Sequence, residues 1–191
     1  MSELHISLTL SLPEEAVTQT FVIFGKRGIG KSNSAVVMAE EMARVLARWV
    51  ALDPVGHWWG LKAKGDGSPG LEVLVFGGPH ADLPLEPTAG ALMADLVLDF
   101  EVRVVLCTVE FSRAERARFV TEFCERLLHR ELIERIPLHV FLEEADQFAP
   151  QRPFPEARSN GNGRQYSGPK NGWKAMAIAG GRRRPQRDEG A

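Results

Sequence analysis

The chain has 191 residues, 44% hydrophobic and 25% charged, with a net charge of −2. These values describe an ordinary folded chain and exclude collagen-like or wholly disordered classes. Charge is unevenly spread: residues 151–191 hold nine basic and three acidic side chains, a net of +6, which leaves −8 for residues 1–150. No apolar run approaches the roughly 20 residues of a membrane-spanning helix. The opening Met-Ser-Glu-Leu-His lacks the basic-then-apolar layout of a signal peptide. Cys107 and Cys124 suit neither a metal site nor a disulfide framework and read as buried thiols in a reducing compartment. A cytoplasmic location without membrane contact is expected.

From His5 to Leu12 apolar residues alternate and stop at Pro13, the pattern of one half-buried strand, such as an edge strand. Thr20 to Phe24 is continuous, β-branched or aromatic, and ends in glycine, which predicts a central parallel strand buried on both faces. From Ser34 the period becomes helical, with Ala35, Met38, Ala39, Met42, Val45 and Leu46 on one side. Trp49 to Leu52 reads as a strand closed by Asp53-Pro54. Lys62 to Gly70 is a loop, Leu71 to Phe76 a strand, Ala89 to Leu98 a short helix and Val104 to Val109 a strand. Arg113 to Leu132 carries the strongest helical pattern, with Ser112 and Glu115 spaced as a capping box. Leu138 to Leu142 is the last strand and runs into Glu143-Glu144-Ala145-Asp146. Strands alternating with helices predict an α/β fold with a mostly parallel sheet flanked by helices. Two segments are expected: an α/β core over 1–153 and a basic Gly/Arg-rich tail over 154–191, which lacks the apolar content for a core.

Gly25-Lys26-Arg27-Gly28-Ile29-Gly30-Lys31-Ser32 matches the phosphate-loop pattern GxxxxGK(S/T) in full, between a predicted strand and a predicted helix. Glycines let backbone N–H groups turn around phosphate oxygens, and the helix start adds partial positive charge. The segment Gly25, Arg27, Gly28, Ile29, Gly30, Lys31, Ser32 and Asn33 is the candidate nucleotide cradle. Lys31 would meet the β- and γ-phosphates and Ser32 would offer its hydroxyl to Mg2+. A glycine-rich turn without a ligand is the alternative. Hydrolysis also needs carboxylates at a neighbouring strand end. Glu143 is the candidate metal-side acid and Glu144 the candidate water-activating one; a plain acidic helix start is the alternative. Asp53 ends a strand and reads either as a group near the magnesium or as a turn-forming Asp-Pro. His57, Trp58 and Trp59 read either as stacking groups for a base or DNA or as a loop packed on the domain. The tail's Arg182-Arg183-Arg184 reads either as a phosphate contact or as a solvated run.

Taken together, Phe24 to Asn33, Leu52-Asp-Pro-Val-Gly56 and Phe141-Leu-Glu-Glu-Ala-Asp-Gln-Phe-Ala-Pro150 resemble the HerA/FtsK superfamily over about Leu8 to Pro153. The resemblance implies a RecA-like, additional-strand, catalytic-glutamate P-loop NTPase that uses ATP and Mg2+. It further implies a homo-oligomer, usually a hexameric ring, that moves on double-stranded DNA, often beside a nuclease. Lys31 and Ser32 match its Walker A pair, Glu143 its Walker B acid and Glu144 its catalytic glutamate. After Pro153 the family's basic helix, sensor strand and arginine-finger strands are not recognisable. In that family the sensor strand separates the Walker A and Walker B strands, so the expectation is a core incomplete at its carboxyl end with both central edges unpaired. Two readings follow: an ATPase coupling hydrolysis to DNA translocation or processing, or a truncated, catalytically inactive nucleotide-binding remnant. A small P-loop kinase fits worse, for want of an arginine-rich lid and an acceptor signature, and GTP stays open beside ATP.

Overall fold

The structure, a computed structural model, describes residues 3–26 and 28–148. Strands β1 (Glu3–Ser7) and β2 (Leu10–Pro13) form an antiparallel hairpin. A 3-10 turn (Glu14–Thr18) and an irregular stretch lead to α1 (Lys31–Arg44) and β3 (Trp49–Asp53). A second 3-10 turn (Trp58–Lys62) precedes β4 (Leu74–Phe76), α2 (Gly90–Asp99) and β5 (Val104–Cys107). Helix α3 (Arg113–Glu134), β6 (His139–Leu142) and a short turn at Ala145–Gln147 complete the described chain. Strands β4, β5, β3 and β6 lie side by side in that order, all parallel. The fold is therefore α/β with a four-stranded parallel sheet flanked by helices.

All five residues of β3 are buried, so this strand needs cover on both faces. Its side chains alternate accordingly. Val50 and Leu52 join Val104, Leu106 and Val140 beneath α2 and α3, where Met93, Val97, Phe119, Phe123 and Leu127 complete one core. Trp49 and Ala51 join Val105 and Phe141 on the other face, against Met38, Ala39 and Met42 of α1, Leu4 of the hairpin, and Trp58. Helices α2 and α3 are further tied by Arg130, whose guanidinium meets Asp99 at 2.7 Å and Asp95 at 3.1 Å. Hydrogen bonds from Arg126 and Arg130 hold the Asp95 carboxyl below its ordinary value.

Helix boundaries follow local chemistry. Ser112 Oγ accepts from the Glu115 amide at 3.3 Å while Glu115 Oε2 accepts from the Ser112 amide at 2.9 Å, so the expected capping box opens α3. Helix α1 closes with Leu46 at φ 59°, donating to the Ala43 carbonyl, and Ala47 donating to that of Met42. This is the paired arrangement that normally recruits glycine at the left-handed position.

Two sequence expectations are corrected. His5 to Leu12 is not one strand: the chain reverses at Leu8-Thr9 and pairs Leu4 with Leu12, so both reach the α1 face while Leu8 and Leu10 face outward. Thr20 to Phe24 is not a buried central strand. It forms no strand, and Val22, Ile23 and Phe24 are 46%, 42% and 78% exposed. β-Propensity yields a strand only where a neighbour takes the backbone hydrogen bonds and covers the side chains. Among the described residues neither this stretch nor the outer edge of β6 pairs with a further strand. The expectations for residues 149–191, including the sensor-strand region and the basic tail, lie outside the described residues. Among the described residues no helix is long and apolar enough to cross a membrane.

His139, at the start of β6, is buried, and its Nδ1 lies 2.8 Å from the Val17 carbonyl oxygen. Burial pulls its pKa below the ordinary 6.5. The unfolded chain therefore takes up the proton first, so the stabilisation is complete above pH 6.5 and is lost as pH falls toward the folded value. Urea midpoints measured from pH 7.5 down to 5 should decline in the wild type, with a shallower decline in His139→Asn. Phe123→Ala, which empties a fully buried site, should cost about 3–5 kcal/mol. Phe24→Ala should stay within about 0.5 kcal/mol in the same urea titrations.

Candidate functional site

Parallel strands present their carboxyl ends together, and here the end of β6, beside that of β3, meets the amino end of α1. Helix α1 begins at Lys31, with Gly30 before it at φ 92° and ψ 21° and Gly28 at φ 85°. Both values suit glycine and strain other residues. At Gly25 a β-carbon would lie 2.0 Å from Ile29 Cδ1, so a side chain there collides with the loop's own isoleucine. Gly30 has no side chain and so offers the first-turn amides of α1 no side-chain cap. Those amides, with the positive end of the helix dipole, form the element that accepts anions.

Lys31 Nζ donates to the Lys26 carbonyl at 3.2 Å, which folds the ammonium back over the loop. Ile29 and Asn33 are exposed, Ile29 on the loop and Asn33 in the first helical turn. Arg27 lies outside the described residues. Ser32 Oγ donates to Glu143 Oε1 at 2.5 Å, joining the end of the phosphate-loop pattern to the end of β6. The other carboxylate oxygen, Oε2, accepts from Trp58 Nε1 at 2.6 Å. The Glu143 amide donates to the Leu52 carbonyl at 3.2 Å and so extends the β3–β6 ladder to this residue.

A hydroxyl and a carboxylate oxygen in contact at the first turn of a helix are hard donors of the kind Mg2+ takes, together with phosphate and water oxygens. The residues present thus fit a magnesium–nucleotide complex. Among the described residues no cluster of three or more His, Cys, Asp or Glu side chains could hold a metal alone.

Glu144 is exposed and adopts φ 48° and ψ 55°, a left-handed conformation costly for a residue with a β-carbon. Its carbonyl accepts from the Gln147 amide at 2.8 Å. Arg116 of α3 grips the same turn, donating to Gln147 Oε1 at 2.5 Å and to the Thr108 carbonyl at 3.0 Å. The turn that carries Glu144 is thereby tied to the ends of α3 and β5. The two acids are unlike: Glu143 is doubly held, whereas Glu144 faces solvent on a constrained backbone.

Asp53 resolves toward the turn. Its side chain is fully buried, Oδ1 accepting from the Val55 and Gly56 amides at 2.9 and 2.7 Å and Oδ2 from the Trp58 amide at 2.9 Å. Trp58 is packed inside, with ring centroids 5.1 Å from Phe141 and 6.1 Å from Trp49. Trp59 stacks on His80 at 3.8 Å. Trp58 packs on the domain, one of the two readings of the sequence; what sequence reasoning missed is its bond to Glu143 and the part played by Arg116. Their only sequence signals are a tryptophan five residues after a strand-ending aspartate and an arginine in the first turn of a long helix. The cysteines are free: Cys107 is buried, and burial pushes the Cys124 thiol up to about 11.

Comparison of the chain with protein-family models, curated proteins and solved structures gives no match. The site's geometry therefore supports functional readings on its own terms.

Replacing Asp53 with asparagine leaves one acceptor oxygen for three amides, that of Trp58 buried. Asp53→Asn should lower stability by about 1–3 kcal/mol, measured by urea unfolding followed through tryptophan fluorescence.

Proposed function

We propose that this chain binds ATP with magnesium at Gly25 to Ser32 and hydrolyses it, as a RecA-like P-loop ATPase of the HerA/FtsK type. The observation that carries the reading is the 2.5 Å hydrogen bond between Ser32 and Glu143, residues 111 positions apart. Phosphate-loop chemistry calls for that pair at one metal.

In this reading the α1 amides and the Lys31 ammonium take the β- and γ-phosphate oxygens. Ser32 and Glu143 would hold the magnesium, whose contribution there would be to neutralise charge on the phosphate oxygens. Glu144 orients the attacking water and accepts its proton, a role open to an exposed carboxylate on a fixed backbone. Coupling to translocation or processing of double-stranded DNA, a hexameric ring, a nuclease partner and a cytoplasmic setting belong to the same proposal, and they rest on the resemblance of the three motifs.

A second reading, nucleotide binding without turnover, is favoured by one observation: the stretch entering the loop, Thr20 to Phe24, stands outside the sheet. An anchor without strand pairing holds the loop less rigidly, and phosphoryl transfer depends on positioning.

Equilibrium binding of a fluorescent ATP analogue and steady-state turnover, each with and without double-stranded DNA, separate these readings. Lys31→Ala should weaken binding by about tenfold or more, the worth of one charge-assisted contact. Glu144→Gln should keep binding and lose about 10²–10⁴-fold in turnover. Binding without turnover in the wild type selects the second reading. Wild-type affinity unchanged in Lys31→Ala would overturn both.

A further inference from the structure

We propose that Trp58 sets the cation preference of this site, by tying up Oε2 of Glu143 so that only Oε1 is free to meet a metal. The proposal rests on the magnesium–nucleotide reading above and goes beyond it, since nothing in phosphate-loop chemistry requires an indole at this position.

The two oxygens of Glu143 are held by unlike partners. Oε1 meets the hydroxyl of exposed Ser32, a group that rotates about a single bond and can turn its lone pairs toward a cation. Oε2 meets an indole N–H, which only donates. That indole cannot easily move. The Trp58 side chain is 2% exposed and lies against Trp49 of β3 and Phe141 of β6, and Asp53 Oδ2 fixes its backbone amide. Rotating the ring away would open the core on this face of the sheet and leave the carboxylate without its charge-assisted partner.

A carboxylate fastened in this way presents one oxygen outward. Mg2+ demands near-octahedral geometry and takes carboxylates through one oxygen, whereas the larger Ca2+ reaches six to eight ligands and often takes both oxygens of one carboxylate. Trp58 therefore disfavours the two-oxygen mode and with it the larger ion. It acts as a positioning residue through Glu143 and touches neither metal nor nucleotide. Asp53, buried one strand away, serves the same end by holding the turn from which Trp58 projects.

The test uses the full chain labelled with 15N. Without any ligand, the Trp58 indole N–H resonance should shift in Glu143→Gln, because its acceptor loses charge; an unmoved resonance would overturn the proposal, even if Trp58 variants failed to fold. Mg2+ and Ca2+ are then titrated separately, each alone and each with a non-hydrolysable ATP analogue, following the Ser32 and Glu143 amide resonances. In Trp58→Phe, which keeps an aromatic ring but no donor, the preference for Mg2+ over Ca2+ should fall by about tenfold, mainly through tighter Ca2+ binding. Trp59→Phe, which disturbs the His80 stack, should keep the wild-type preference. Equal preferences in wild type and Trp58→Phe would sink the idea. The ligand-free indole shift keeps the two proposals apart: it reports on Trp58 and Glu143 whether or not nucleotide binds, whereas loss of nucleotide binding bears on the function.

Discussion

A strand buried on both faces imposes more on its protein than any single contact, and Trp49 to Asp53 is such a strand. Its alternating side chains require one layer to fill the space over Val50 and Leu52 and another to fill the space over Trp49 and Ala51. Helices α2 and α3 provide the first; α1, the hairpin and the Trp58 turn provide the second. Its flanks are occupied by β5 and β6, and its last residue leads into the turn that carries Trp58. There Asp53 is turned inward and spends its carboxylate on three amides. The position of Trp58, and through it the orientation of Glu143, descends from that turn.

The region around Glu143 shows how a weakly polar layer can govern a polar one. The aromatic group of Trp49, Trp58 and Phe141 is a core by composition, yet one of its members points its only donor at a carboxylate. Tryptophan suits this because it fills volume and donates without accepting. On the solvent side the partner is a serine, small and free to rotate. Rigidity is thus graded across a single side chain, from the oxygen facing the core to the oxygen facing the helix.

Much of this was legible in the sequence where the physical cause is local. The capping box at Ser112 and Glu115, the helical period of α3, and the β-rich runs of β3, β5 and β6 all predict their elements to within a few residues. The phosphate-loop pattern correctly locates a helix start with left-handed glycines before it. What failed depended on partners. Thr20 to Phe24 has a composition that reads as a buried strand, but burial is a property of neighbours, and no described strand adjoins it. The alternation of His5 to Leu12 runs through a chain reversal, because Leu8 and Leu10 keep the period while facing water. Asp53 kept two meanings until its amide partners were known. Trp58 could not be paired with Glu143, 85 positions away, by any rule of spacing.

The topology also bears on how the molecule comes to be assembled. Helices α2 and α3 are near neighbours along the chain, whereas Val50 pairs with Val104 and with Val140. Long loops must close before those pairings return any energy, which makes parallel sheets slow to form. The contact between Ser32 and Glu143 spans still more of the chain and needs β6 already seated beside β3. The pair that joins the loop to Glu143 therefore waits on the docking of β6, the last of the described strands.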